Sequence, residues 1–85
     1  MKLDHSSNIP LHKQAEDLLR TMIQQEEYKS GKLLPNEVEL SKSLNISRNT
    51  LRQAINKLVF EGLLVRKPGY GTCVAPQDVM SNARN

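Results

Sequence analysis

Residues 48–57 contain a run of side chains that could donate hydrogen bonds to the base edges and phosphates of DNA. Arginine suits guanine edges and phosphates, whereas asparagine and glutamine suit adenine edges. Apolar residues recur between them at spacings of three and four, which is the repeat of one helix face. The polar face holds Arg48, Asn49, Arg52, Gln53, Asn56 and Lys57, and the apolar face holds Leu51, Ala54, Ile55 and Leu58. This pattern predicts a helix that buries one side and presents the other to a DNA groove.

The distribution of charge favours a phosphate-facing surface in the second half of the chain. Residues 32–75 contain seven Lys and Arg against three Glu, a net charge of +4, whereas residues 1–31 carry a net charge of −1. A concentrated basic segment is typical of nucleic-acid binding. A solvated helix face has the same composition, so charge alone leaves both interpretations open.

Composition excludes several other classes of protein. The 85 residues make one small domain with a modest core. No apolar run approaches the roughly 18–20 residues of a membrane span, and the N-terminus lacks the apolar region of a signal peptide. One cysteine, Cys73, excludes an internal disulfide and fits a reducing cytoplasm, and with His5 and His12 it makes too scattered a set for zinc. The sequence also has no pattern typical of a catalytic triad, paired catalytic carboxylates or a metal site, so we expect a cytoplasmic protein that is not an enzyme and carries no metal or cofactor.

The elements before this polar helix predict two further helices. Residues 1–9 read as a flexible lead-in, and an apolar stripe predicts a first helix from Pro10 to about Tyr28. Asn36, with Glu39 three residues later, is typical of a helix N-cap and begins a short second helix that ends near Asn45.

A short β-hairpin follows the third helix. Ser47 is placed to cap that helix, which is expected to run to about Glu61 and to stop at Gly62. Residues 63–66 and 72–74 are rich in strand formers and flank a turn at residues 68–71. The fold class is therefore mainly α with a small β-hairpin (α+β), a winged helix-turn-helix of three helices plus a wing. Residues 10–75 form this domain, and residues 76–85 read as a linker.

In order and spacing, these elements resemble the N-terminal DNA-binding domain of the GntR family of bacterial transcription regulators. The resemblance covers residues 10–74, and the proline-leucine start and the wing are most similar to the HutC-type subgroup. It rests on residues 10–14 (PLHKQ), 34–40 (LPNEVEL), 46–54 (ISRNTLRQA), 61–64 (EGLL) and 69–72 (GYGT).

The resemblance implies roles for individual residues. Arg48 matches the family's arginine that reaches a guanine in the major groove, and Arg52 matches a second arginine that contacts a base or the backbone. Gly69 matches the wing-tip glycine that approaches the minor groove. The complete DNA-binding set that the resemblance implies is Ser47, Arg48, Asn49, Thr50, Arg52, Asn36, Lys67, Gly69, Tyr70 and Gly71.

Two positions depart from the family pattern. Val38 stands where many relatives carry an arginine that contacts a base, and valine cannot read a base edge by hydrogen bonding. The operator is therefore expected to differ at the base pair that this arginine specifies. Cys73 replaces the more usual aromatic residue of the second wing strand, which concerns packing, and we expect it to be a small buried residue.

The resemblance also implies partners outside this chain. These are a near-palindromic double-stranded operator, a second copy in a homodimer, and a small-molecule effector bound by a C-terminal domain beyond the linker. The expected function is repression by an effector-responsive regulator associated with the bacterial nucleoid. Two alternatives stay open, namely a winged helix that contacts protein or RNA, and the DNA-binding head of an aminotransferase-fused regulator.

Overall fold

The computed structural model describes residue 3, residues 5–6 and residues 8–76. Its elements are helices α1 (Leu11–Met22), α2 (Glu26–Lys29), α3 (Glu37–Leu44) and α4 (Arg48–Phe60), followed by strands β1 (Leu64–Lys67) and β2 (Gly71–Val74). The predicted class, mainly helical with one hairpin, is confirmed. Beyond Pro76, the predicted linker lies outside the described residues.

The first predicted helix is wrong at its C-terminal end. The helix stops at Met22, and the chain resumes a separate turn of helix, α2, after an extended Gln25. Tyr28 follows Leu19 by nine residues, so an unbroken helix of 3.6 residues per turn would carry it about 180° away from the buried Leu19. The break turns Tyr28 inward, and it is buried in the core.

The helix-turn-helix has the capping residues that the sequence predicted. The side chain of Asn36 accepts a hydrogen bond from the backbone N–H of Glu39, and Asn45 ends α3 in the left-handed conformation at φ 59°. The Oγ of Ser47 then accepts a hydrogen bond from the N–H of Thr50 at the start of α4. Because only two residues separate Asn45 from the first residue of α4, the crossing of the two helices is fixed locally.

The hairpin begins one residue later than predicted and is tied to the start of α3. The strands are antiparallel, and Arg66 lies opposite Thr72. The carbonyl of Thr72 also accepts a hydrogen bond from the N–H of Leu34, at 2.8 Å. Since Leu34 lies three residues before Glu37, this bond places the first turn of α3 beside the wing.

A single apolar core connects the helices with the base of the hairpin. Leu51, Leu58 and Ala54 of α4 are completely buried, and they pack in one cluster with Leu19 of α1 and Leu44 of α3. Helix α4 is the third helix of the sequence prediction, and its predicted apolar face is thereby confirmed. Its opposite face is left to solvent.

The part of the N-terminal lead-in that the structure describes contacts the body of the domain. Leu3 packs against the edge of the core, and the ring Nε2 of His5 lies 2.8 Å from the carbonyl oxygen of Asn45. Flexibility of residues 1–9 stays a prediction. Among the described residues, no helix has both the length and the apolar character needed to cross a membrane.

Candidate nucleic-acid interface

The first turn of α4 presents the side chains expected to read DNA. Arg48 and Asn49 are exposed, and the Ser47 hydroxyl that caps the helix also lies 2.9 Å from the hydroxyl of Thr50. None of the ion pairs within the described part of the chain involves Arg48. Its guanidinium is therefore open to an incoming hydrogen-bond acceptor.

Arg52, one turn further along α4, has partners within the protein. Its guanidinium donates to the carboxylate of Glu37 at 3.3 Å and to the side-chain oxygen of Asn49 at 3.3 Å. The side chain still has 43% of its surface exposed. Arg52 is thus positioned by one contact with α3 and one within α4, and it remains accessible from solvent.

The structure adds two residues, Arg66 and Glu37, that the sequence interpretation left out of the site. Arg66 of β1 donates to the second carboxylate oxygen of Glu37 at 3.2 Å and to the side-chain oxygen of Asn56 at 2.6 Å. Asn56, which the sequence places on the polar face of α4, therefore has a protein partner on the first wing strand. The sequence showed that Arg66 is a basic residue in the first wing strand. It did not show how the two wing strands pair, and this register decides what Arg66 contacts.

The carboxylate of Glu37 is the electrostatic centre of this network. Its partial burial acts to raise the pKa, but hydrogen bonds from Arg66 and Arg52 and the positive charge of both outweigh burial and hold the pKa of Glu37 below its ordinary value. Glu37 also lies in the first turn of α3, where the helix dipole favours an anion. The carboxylate is therefore charged at neutral pH.

The wing tip is a tight turn with exposed side chains. The N–H of Tyr70 donates to the carbonyl of Lys67 at 2.9 Å, and Gly69 has φ 83°. Pro68 followed by a residue of positive φ is the pattern of a type II turn, in which glycine avoids the strain that a Cβ would cause. Tyr70 is 77% exposed and Lys67 is also exposed, so the tip offers a cation and an aromatic ring to solvent.

An open cleft separates the start of α3 from the wing. The expected site residues Asn36, Arg48, Lys67, Gly69, Tyr70 and Gly71 line it, together with Val38. The remaining four, Ser47, Asn49, Thr50 and Arg52, lie on the adjoining first turns of α4. The oxygen of Asn36 is already engaged as a cap, which leaves its amide nitrogen for any ligand. The described residues contain no cluster of His, Cys, Asp or Glu that could hold a metal ion.

Comparison with known proteins gives a match over most of the chain. The model of the family described as "Bacterial regulatory proteins, gntR family" matches residues 11–74. These bounds run from the first residue of α1 to the last residue of β2. The members of this family are transcription regulators, not enzymes.

Curated relatives are similar to this chain over part of their length. The HTH-type transcriptional repressor NagR of Bacillus subtilis (strain 168) is 41% identical over 75 residues, which cover 88% of this chain and 31% of NagR. A probable fructoselysine utilization operon transcriptional repressor of Escherichia coli (strain K12) is 46% identical over 52 residues, covering 61% of this chain and 21% of that protein. The chain thus spans about a third or less of these relatives.

Among solved structures, the fold is similar to a domain bound to DNA. The crystal structure of the AraR DNA-binding domain in complex with operator ORX1 superposes with a TM-score of 0.80 at 32% identity. The superposition covers 88% of this chain and 95% of the AraR chain. A winged-helix architecture is therefore shared over nearly the full length of that domain.

Proposed function

This chain belongs to the gntR family of bacterial regulatory proteins, and we propose that it binds operator DNA in a sequence-specific manner as part of a transcription regulator. The observation that carries the proposal is the position of Arg48. It is the first residue of α4, it is exposed, it lines the cleft beside the wing, and no described residue forms an ion pair with it.

In this proposal, α4 lies in the major groove and the wing contacts the adjacent minor groove. Arg48 forms a bidentate pair with a guanine, for which the planar guanidinium is suited. Ser47, Asn49 and Thr50 contact phosphates and base edges around it. Lys67 and the Gly69 backbone approach the sugar-phosphate backbone from the wing.

The names of the relatives support a repressor role, and the proposal adds a second copy of the chain. NagR and the fructoselysine protein are named as repressors, and AraR was crystallised with an operator. A near-palindromic operator bound by two copies would place one α4 in each half-site. An effector-binding and dimerisation domain in the remaining length of the whole protein would hold the two copies together and so raise their effective concentration on DNA.

Selection of bound duplexes from a random DNA library tests this proposal directly. We expect a short enriched half-site that contains a guanine. In the Arg48→Ala variant the preference for that guanine should disappear, with a loss of about 1–3 kcal/mol in specific binding and little change on random DNA. Lys29→Ala is the matched control, because it removes one exposed cation from α2, away from the cleft.

Two outcomes would contradict parts of the proposal. Equal loss on selected and random DNA would show that Arg48 contacts phosphate and does not read a base. If neither this chain nor an artificially dimerised version enriches any duplex, the winged helix serves another partner, such as RNA or a protein. The dimerised version is needed because a single half-site can bind weakly.

A further inference from the structure

Glu37 is placed between two arginines that come from different parts of the fold. One carboxylate oxygen lies 3.3 Å from Arg52 of α4, and the other lies 3.2 Å from Arg66 of β1. Because Glu37 is the first residue of α3, its carboxylate connects α3 with α4 and with strand β1 of the wing. A carboxylate has two oxygens with enough lone pairs to accept from both guanidinium groups at once.

The backbone fixes this arrangement before any DNA is present. The bond from the Leu34 N–H to the Thr72 carbonyl places the start of α3 beside β2, and Arg66 lies opposite Thr72 across the hairpin. The tight turn at Asn45 sets the position of α4 relative to α3. The three charged side chains therefore meet as a consequence of the fold.

The network divides the arginines at this surface into two kinds. Arg52 and Arg66 share one carboxylate, and each has a second partner, Asn49 and Asn56 respectively. No described residue forms an ion pair with Arg48. A bare phosphate that approaches Arg52 or Arg66 has to compete with a negative charge about 3 Å away, whereas one that approaches Arg48 does not.

We propose that Glu37 is a specificity-determining positioning residue, which holds Arg52 and Arg66 in the binding geometry and keeps them from binding the phosphates of unrelated DNA. The inference rests on the proposed function and concerns the sequence specificity of the same surface. A matching duplex offsets the competition by additional contacts with the correctly oriented arginines. Random DNA offers phosphates alone, for which the paired arginines are poor partners.

The test compares Glu37→Gln with Glu39→Gln. Both substitutions remove one negative charge from the first turn of α3, but the Glu39 carboxylate takes part in none of the ion pairs among the described residues. Binding to a random duplex and elution from heparin are measured over a range of salt concentrations. Each arginine freed to contact one phosphate should steepen the slope of log K against log salt by about 0.9 and raise affinity roughly tenfold near 0.1 M salt.

The expected result is that Glu37→Gln binds random DNA and heparin more tightly, with a steeper salt slope than Glu39→Gln, while its preference for the selected duplex falls. An equal effect of the two substitutions would overturn the inference, and so would weaker binding of Glu37→Gln to random DNA. A changed base preference with an unchanged salt slope would overturn it too, because Glu37 would then be reading a base itself.

A second variant keeps this test independent of one substitution, and the use of random DNA and heparin keeps it independent of the proposed function. Glu37→Asp retains the charge but shortens the side chain, so it should bind random DNA with an affinity between those of the native chain and Glu37→Gln; an affinity equal to the native one would count against the inference. Thermal melting of each variant confirms that it is folded. If neither the native chain nor its artificially dimerised version selects a motif, the proposed function fails, yet the random-duplex and heparin slopes still decide the role of Glu37.

Discussion

The guanidinium of Arg20 donates two hydrogen bonds to the carboxylate of Glu61, at 2.6 and 2.9 Å. This bidentate pair joins the C-terminal part of α1 to the residue that immediately follows α4, 41 positions later in the chain. Glu16, one turn earlier on α1, lies 3.8 Å from the same arginine. Helix α4 is therefore tethered at its C-terminal end by the pair of Arg20 with Glu61 and near its N-terminal end by the pair of Arg52 with Glu37.

Glu61→Gln should lower the melting temperature, and the difference from the native chain should depend on pH. The hydrogen bond from Arg20, chiefly, holds the pKa of the Glu61 carboxyl below its ordinary value of 4.5. A carboxyl whose pKa is lowered on folding contributes stability above its unfolded pKa, and this contribution is lost as the pH falls through the folded value. Melting curves from pH 7 down to about pH 3 measure the effect.

The control for this prediction is Glu26→Gln, which removes an exposed carboxylate from α2. Its melting temperature should stay close to the native value at every pH. A constant difference between Glu61→Gln and the native chain across the whole pH range would mean that the charge of Glu61 is not what stabilises the fold.

Ser47→Ala should destabilise the domain by about 1 kcal/mol, the usual cost of losing an N-cap side chain. The Oγ of Ser47 satisfies the N–H of Thr50, so its loss frays the turn that carries Arg48. Chemical denaturation gives the free energy of unfolding. Ser43→Ala is the matched control, because Ser43 is exposed within α3 and alanine has the higher helix propensity there. Equal effects of the two substitutions would contradict a capping role.

Leu51→Ala should lower the free energy of unfolding by about 2–5 kcal/mol, since truncation of a fully buried leucine leaves a cavity. Phe60→Ala on the same helix should change it by less than about 0.5 kcal/mol, because Phe60 is 87% exposed. Both values come from denaturant titration. A large effect at Phe60 would show that its ring is covered in solution.

Local signals made much of this fold predictable. The caps at Asn36 and Ser47 and the left-handed Asn45 each depend on residues no more than three or four positions apart, so sequence spacing was sufficient to identify them. The break after Met22 was not predictable in this way. Residues 23–27 have no strong helix breaker, and the driving force for the break is the burial of Tyr28 in the core.

From residue spacing alone, the candidate site was predictable only where it lies on one helix, and its positions in the wing and at the start of α3 came from the family resemblance. The spacing of Arg48 and Arg52 places them one turn apart, whatever the rest of the fold does. The contact of Glu37 with Arg66 joins residues 29 positions apart, and it depends on the hairpin register and on the Leu34–Thr72 bond. The spacing of charged residues along the sequence shows neither the hairpin register nor the Leu34–Thr72 bond. The roles of all these residues on DNA stay predictions.

Lys67→Ala should weaken binding to selected and random duplexes by a similar factor. Lys67 is exposed at the end of β1 beside the wing turn, where its ammonium group can neutralise a phosphate, a contact that carries no sequence information. The salt slope should therefore become shallower by about 0.9, the value for one lost phosphate contact. Titrations at several salt concentrations, with Lys29→Ala as the control for loss of one cation, measure this change. If the slope stays at the native value, Lys67 lies outside the interface.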